Sequence, residues 1–351
     1  MEMTTLGRTG MQVSRLCFGA MTLGSWGNTD EAECIGMVHR ALDAGINFID
    51  TADVYGGGDS ETIVGKALAG RRDSVILATK LNHQTAPGYN HSGNSRRWIT
   101  HQIDESLRRL ATDWIDLYQL HRPDPSTDIS ESVGALTDLV RAGKIRAFGT
   151  STFPAHEIVE AHWAAERRAL ERPACEQAPY SLLVRGIEAD VLPVTRRYGM
   201  GVIVWSPLCA GWLTGLYRKG RELPASNRAA LVPARYDMSM PENQAKLEAV
   251  EQLALLAEEV GLTLQQLAQA FVLEHPAITS AIIGPRTPEQ LESYLANAGA
   301  ALDTATLDRI DAIVPPGTVY SRADIGWEPP ALLTTAGRRG GAAAPPVATL
   351  G

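Results

Sequence analysis

Four side chains of types suited to proton transfer stand at the ends of apolar runs. They are Asp50 and Tyr55 in INFIDTADVYGGGDSE, Lys80 in ILATK and His121 in DLYQLHRPD. A free tyrosine has a pKa of about 10, and a neighbouring ammonium favours its phenolate, so Lys80 beside Tyr55 would ease proton exchange near neutral pH. Asp50 would hold Lys80 charged and oriented, and the His121 imidazole would hydrogen-bond an oxygen of the bound substrate. Such a cluster fits protonation of a carbonyl oxygen, which requires a hydride donor as partner. Any one of these residues at a strand end is more often structural; four at these spacings reverse that judgement.

The elements that must position them follow from periodicity. Short β-branched or aromatic runs near residues 16–20, 46–50, 75–80, 115–121, 145–151, 174–177, 202–206 and 280–284 alternate with longer amphipathic segments, as parallel strands joined by helical crossovers do. Eight repeats predict an α/β fold, a closed (β/α)8 TIM barrel, in which reactive groups come from the C-terminal ends of several strands. Asp30 is placed to cap the helix EAECIGMVHRALDAG, Gly45 suits its exit, and Thr287-Pro288-Glu289 opens another with proline in its first turn. Two helical patterns, 241–260 and 264–275, lie between the seventh and eighth runs, so one is surplus to the repeat; 302–313 predicts a terminal helix. Residues 82–98, 207–237 and everything after Pro315 read as loops. A single domain is expected over 1–335, with 336–351, AGRRGGAAAPPVATLG, a mobile tail that has little to bury.

With 44% hydrophobic and 21% charged residues the chain has ordinary globular composition, and its formal net charge of −8 supplies no global field for nucleic acid or anionic lipid. An anionic ligand needs a local basic pocket. Cys17, Cys34, Cys175 and Cys209 form no CxxC pair, which suits a reducing compartment. The start has no apolar leader core and no apolar run approaches a membrane span, so the expected location is the cytoplasm, with no membrane partner. No histidine pair has metal-ligand spacing, so no metal is expected, and His101, His156 and His162 read as solvated helix positions. Of the basic pairs, Arg96-Arg97 is expected to line the site through its loop and Arg167-Arg168 to be solvated. The GGGDS run lacks GxGxxG spacing and reads as a turn into the next helix.

GINFIDTADVYGGGDSE, ILATK, DLYQLHRPD and IIGPRTPEQL, in this order over roughly residues 6–314, resemble the signatures of the aldo-keto reductase superfamily. GNSRRWI, CEQAPYSLL and WSPL are similar to the branch holding the potassium-channel β subunits and many bacterial reductases. The resemblance implies a TIM barrel with an N-terminal β-hairpin and extra helices before strand eight and at the C-terminus. It implies NADPH-dependent reduction of an aldehyde or ketone, with Tyr55 as general acid, Lys80 and Asp50 supporting it and His121 orienting the carbonyl. Carried over to the cofactor, NADPH (NADP+), it has Ser151 and Gln177 binding the carboxamide and Trp205 stacking on the nicotinamide. By position alone Trp205 reads as core; the SPL that follows favours stacking. Ser206, Pro207, Leu208 and Gly211 would embrace the pyrophosphate with Arg228 as a further phosphate contact. Gly284, Arg286 and Gln290 would hold the adenosine end, Arg286 gripping a 2′-phosphate, and Gly19, Met21 and Asp50 complete the cofactor contacts. Met21 and Trp26 read equally as lining the substrate mouth or as ordinary packing.

The chain departs from the family pattern at Thr152, where many relatives have asparagine, and at Leu216, where the channel-type branch has a lysine that Arg218 or Lys219 would replace. Ser293 and Tyr294 stand where an acidic residue and an asparagine often contact adenine. The competing function is a cofactor-sensing regulatory or binding protein like the channel subunits. His121 argues against it, because those subunits have asparagine there. No heptad or edge motif speaks to the oligomeric state.

Overall fold

The computed structural model describes residues 1–224, 229, 232–329 and 332. The chain enters through an antiparallel hairpin, β1 (Met3–Thr5) and β2 (Gln12–Ser14). Gly7 in its turn has φ 53°, and a Cβ there would lie 2.4 Å from the Gly201 nitrogen, so only glycine allows the hairpin to seat against the barrel. Leu6 and Val13 are fully buried there and join the core inside the barrel.

Strands and helices then alternate: β3 (Leu16–Gly19), α1 (Glu31–Asp43), β4 (Phe48–Asp50), α2 (Asp59–Ala67), β5 (Ile76–Leu81) and α3 (Arg96–Leu110). Next come β6 (Ile115–Leu120), α4 (Ile129–Arg141), β7 (Ile145–Ser151), α5 (Ala155–Arg168), β8 (Cys175–Pro179), α6 (Val191–Tyr198) and β9 (Gly201–Trp205). The chain continues through α7 (Pro241–Glu259), α8 (Leu264–Glu274), β10 (Ser280–Ile283), α9 (Pro288–Ala296) and α10 (Thr304–Ile313). The parallel strands close a barrel in the order β10-β3-β4-β5-β6-β7-β8-β9. The eight expected strands are all present, with ends displaced by a few residues at most.

Local chemistry accounts for the helix boundaries. The Asp30 carboxylate accepts the Glu33 N–H at 3.0 Å at the start of α1, and Gly45, with φ 89°, carries the chain away after it. Thr263 and Gln266 form a reciprocal capping box on α8, and Pro288 opens α9 behind the Thr287 cap. Helix α8 packs on β10 as a barrel helix, whereas α7 lies against α10 and α8 and is the surplus one.

Two apolar cores result. The larger lies between strands and helices. The smaller fills the barrel with Cys17, Phe48, Ala78, Leu117, Ala147, Cys175, Ile203 and Ile282, one residue from each strand. Side chains on a strand share a face every second residue. Two positions further along the same strands therefore come Gly19, Asp50, Lys80, Gln119, Gly149, Gln177, Trp205 and Gly284, where the barrel turns polar.

Several expectations need correction. His162 is buried, not solvated: its ring stacks on Tyr198 at 4.1 Å with Nε2 3.2 Å from Met200 Sδ, and burial lowers its pKa to about 4. Arg96 is ion-paired with Glu131 and Asp138 on α4, and Arg97 is exposed. All four cysteines are free and buried. Among the described residues no helix is long and apolar enough to cross a membrane. Residues 336–351 lie outside the described residues.

Candidate active site

The chain leaves β4 at Asp50 and turns through Tyr55-Gly56-Gly57-Gly58 into α2, as expected for this run. The three glycines have φ of 58°, 68° and 103°, a left-handed stretch that side-chain-bearing residues adopt only under strain, and it presents Tyr55 back over the strand ends. Lys80 reaches the same point from the neighbouring strand. Its Nζ donates to Asp50 Oδ2 at 2.6 Å, to the Thr51 carbonyl at 2.8 Å and to the Tyr55 hydroxyl at 3.3 Å. All three donors of the ammonium are thereby used, which is what a fully buried lysine requires.

Burial opposes the Lys80 charge, but Asp50 and the Tyr55 oxygen outweigh it and the pKa of Lys80 is raised. For Tyr55, burial is also the largest influence; it raises the phenol pKa, Asp50 adds to the rise, and Lys80 pulls the other way without reversing it. Lys80 thus pulls Tyr55 towards phenolate, as expected, but burial outweighs it and the hydroxyl stays protonated. That is the state a proton donor needs.

His121 lies just past β6, its ring 5.7 Å from that of Tyr55 and edge-on to it. Burial lowers its pKa well below the usual value, helped by His83, Arg122 and Lys80, so the ring is a neutral imidazole. Its Nδ1 is buried without a hydrogen-bond partner among the described residues. The four residues singled out for chemistry are therefore brought together. Trp26 tilts over Tyr55 at 5.9 Å, which places it at the mouth.

The positions expected to hold a dinucleotide occupy the remaining strand ends. Ser151 ends β7, and among the described residues its Oγ has a single 3.5 Å contact, with Thr152 Oγ1. Gln177 uses its amide nitrogen on Asp50 Oδ1 at 2.9 Å and Gln119 Oε1 at 3.2 Å, while its Oε1 accepts nothing among the described residues. Trp205 ends β9 with a buried Nε1 that has no partner among the described residues. In the loop after it Ser206, Cys209 and Ala210 all have positive φ, 60°, 46° and 54°, with Pro207 and Leu208 buried between them. Ser206 Oγ accepts the Ala210 N–H at 2.9 Å, which holds this tight curve. A Cβ placed on Gly211 or Gly284 would meet nothing within 4 Å.

Arg286 is exposed, and its guanidinium has no hydrogen bond or ion pair among the described residues; its backbone N–H is tied to Gln290 Oε1 at 2.8 Å. Met21 is half-buried, and Gly19 is packed against Ile282, where a Cβ would lie 2.5 Å from Cγ2. Ser293 donates to Gln265 and Tyr294 is half-buried. Arg228 lies outside the described residues. Near Leu216, where the family lysine is missing, both cations are ion-paired: Arg218 with Glu251 at 2.9 Å and Glu258 at 2.8 Å, and Lys219 with Glu248, all on α7.

Sequence reasoning passed over four residues that the structure draws in. Gln119 donates to Asp50 Oδ1 at 3.3 Å from the polar layer, and its two-residue offset from His121 was the signal for it. Glu176 accepts from the Phe153 N–H at 3.1 Å and from Thr150, holding the Ser151 turn from behind, and burial pushes its pKa up to about 8. His83 stands edge-on to His121 at 4.6 Å. Arg122 follows His121 and donates from Nε to the Gly326 carbonyl at 3.2 Å, so a segment remote in sequence crosses the mouth. Asp324 anchors that segment through Lys246 at 2.8 Å and Arg235 at 3.3 Å.

Residues 15–315 match the model of the aldo/keto reductase family. The chain is 38% identical over 327 residues to an uncharacterized oxidoreductase, YrpG, of Bacillus subtilis, covering 90% of this chain and 96% of that protein. It is 36% identical over 321 residues to the aldo-keto reductase YhdN of the same organism, covering 90% and 94%. A putative voltage-gated potassium channel subunit beta of Schizosaccharomyces pombe is 37% identical over 294 residues, covering 82% and 85%. An eight-stranded parallel barrel, a tyrosine, lysine, aspartate and histidine gathered at its mouth, and a match over nearly the whole barrel agree, and the chain belongs to the aldo/keto reductase family.

Proposed function

We propose that this oxidoreductase reduces an aldehyde or ketone to the alcohol with NADPH, Tyr55 delivering the proton. The observation that carries the reading is the Lys80 ammonium 3.3 Å from the Tyr55 hydroxyl and 2.6 Å from Asp50, in surroundings where the hydroxyl remains protonated. NADPH, when bound, supplies the hydride. Tyr55 holds the proton at its hydroxyl, Lys80 steadies the negative charge that develops on the phenolic oxygen as the proton leaves, and Asp50 keeps Lys80 in place. The neutral His121 is a hydrogen-bonding group for the carbonyl oxygen that adds no fixed charge.

The residues at the other strand ends suit a dinucleotide. Gln177 Oε1 and Ser151 Oγ are free to meet a carboxamide, the unpartnered Trp205 indole offers a flat face, and open space stands over Gly211 and Gly284. The uncommitted Arg286 guanidinium favours a 2′-phosphate and hence NADPH over NADH. We place the protein in the cytoplasm on its four free buried cysteines.

A second reading, a cofactor-sensing regulatory protein, draws on the similarity to proteins named as channel β subunits. The imidazole at His121 favours the reductase. Following NADPH consumption with a panel of aldehydes, ketones and a quinone, and again with NADH, separates the two. Consumption matched by alcohol formation is expected; tight NADPH binding with no carbonyl consumed would favour the sensor.

A further inference from the structure

The described residues include four buried cationic side chains, and three have a carboxylate: Lys80 has Asp50, Lys246 has Asp324, and Arg185 has Glu188 and Asp311. Arg122, only 8% exposed, has none. Its Nη1 donates to the His121 carbonyl at 2.6 Å and its Nε to the Gly326 carbonyl at 3.2 Å, while Nη2 has no partner among the described residues. A buried charge served only by backbone carbonyls is held at a free-energy cost, and an incoming anion would relieve it.

No acid among the described residues fills this role. Burial brings the Arg122 pKa down to about 10, so the group remains a cation at neutral pH, and Glu176, whose field reaches it, has a pKa near 8 and is mostly protonated there. Asp324 is engaged by Lys246 and Arg235, and Glu328 by Arg322. The charge sits beside the reacting groups, since Arg122 acts electrostatically on Tyr55, His83 and His121, and Nη2 lies near the Gly326 backbone that packs on the Trp205 edge.

We propose that Arg122 binds an anionic group of the substrate, so that the preferred substrates are carbonyl compounds that also carry a carboxylate. This rests on the reductase reading above. One free guanidinium nitrogen, whose cationic neighbour Arg235 is already paired with Asp324 and beside which the described residues place no uncommitted cation, suits a singly charged carboxylate better than a phosphate ester. The carboxylate takes no part in the redox step: the carbonyl carbon gains hydride, its oxygen gains the Tyr55 proton, and the dinucleotide is oxidised.

The test compares 4-formylbenzoate with its neutral methyl ester as substrates for wild-type protein, Arg122→Met and Arg122→Lys, together with calorimetric titration of benzoate. The wild type is expected to favour the carboxylate in kcat/KM by about 10- to 100-fold, Arg122→Met to bring the ratio near one, and Arg122→Lys to keep part of it. Because Arg122 also holds two backbone carbonyls, the wild-type ratio and the lysine variant stand even where the methionine variant folds poorly. Equal use of both aldehydes by the wild type, with no benzoate binding, would overturn the proposal and leave the reductase reading intact. Saturable benzoate binding that Arg122→Met abolishes, with neither aldehyde reduced, would uphold the anion site and remove the reductase reading.

Discussion

The lower and upper layers of the barrel interior are two residues apart on the same strands, yet they do opposite work. Below, Phe48, Leu117, Ile203 and their neighbours close the barrel with apolar contact. Above, Asp50, Lys80, Gln119 and Gln177 form one hydrogen-bonded set under Tyr55. The apolar layer gains its stability from area removed from water, roughly 25 cal/mol per Å2. The polar layer is held in place by the hydrogen bonds that converge on Asp50 from Lys80, Gln119 and Gln177. The lower layer should therefore tolerate changes of shape that conserve volume, and the upper layer should tolerate almost none.

Breaking the upper layer should give the largest effect. Asp50→Asn leaves the buried Lys80 ammonium without its countercharge, and a loss of about 3–5 kcal/mol in denaturant unfolding is expected together with loss of turnover. In the lower layer, Phe48→Ala should lower stability by a comparable 3–5 kcal/mol through the cavity it opens, but the folded fraction should still reduce substrate. A Phe48→Ala protein that folds and has lost all turnover would dissolve the distinction.

The electrostatics predict a smaller, graded effect. Since the Tyr55 pKa is raised above its ordinary value, the hydroxyl keeps its proton throughout the neutral range, and the rate of reduction should be flat with pH until strongly alkaline conditions deprotonate it. The neutral His121, with its pKa lowered, places the acidic limb below the usual histidine range. A reduction rate that halves near pH 7 would show that the buried charges are balanced differently.

The cofactor end supplies the smallest contrast. Arg286→Ala should weaken NADPH binding by about 10- to 100-fold and NADH binding little, because an unengaged guanidinium is available to a 2′-phosphate. Lys219→Ala should change neither, since Glu248 holds that ammonium on α7.

Much of this contrast was legible in the sequence. The alternation along INFID, ILATK and DLYQLH carries both layers, because residues sharing a strand face recur at a period of two. Asp50 and Lys80 are marked by type and by position at the end of a strand, His121 by its place just past one, and Tyr55 by the turn that follows β4. The ties between strands were not: Gln119 and Gln177 meet Asp50 across separations of 69 and 127 residues, which no local pattern encodes. Nor was the crossing of the mouth by Gly326, or the solitary state of Arg122, which depends on what is missing around it. The net upward shift of the Tyr55 pKa was not legible because depth of burial decides it, and His162 was misread because one helical turn does not reveal which face is covered.

The most direct test of the central claim is Tyr55→Phe, which removes one hydroxyl from a packed ring. With NADPH binding followed by fluorescence and carbonyl reduction followed in parallel, the variant should bind the cofactor as the wild type does while kcat falls by about 10²- to 10⁴-fold. Reduction at the wild-type rate in that variant would show that the proton comes from elsewhere and would contradict the account.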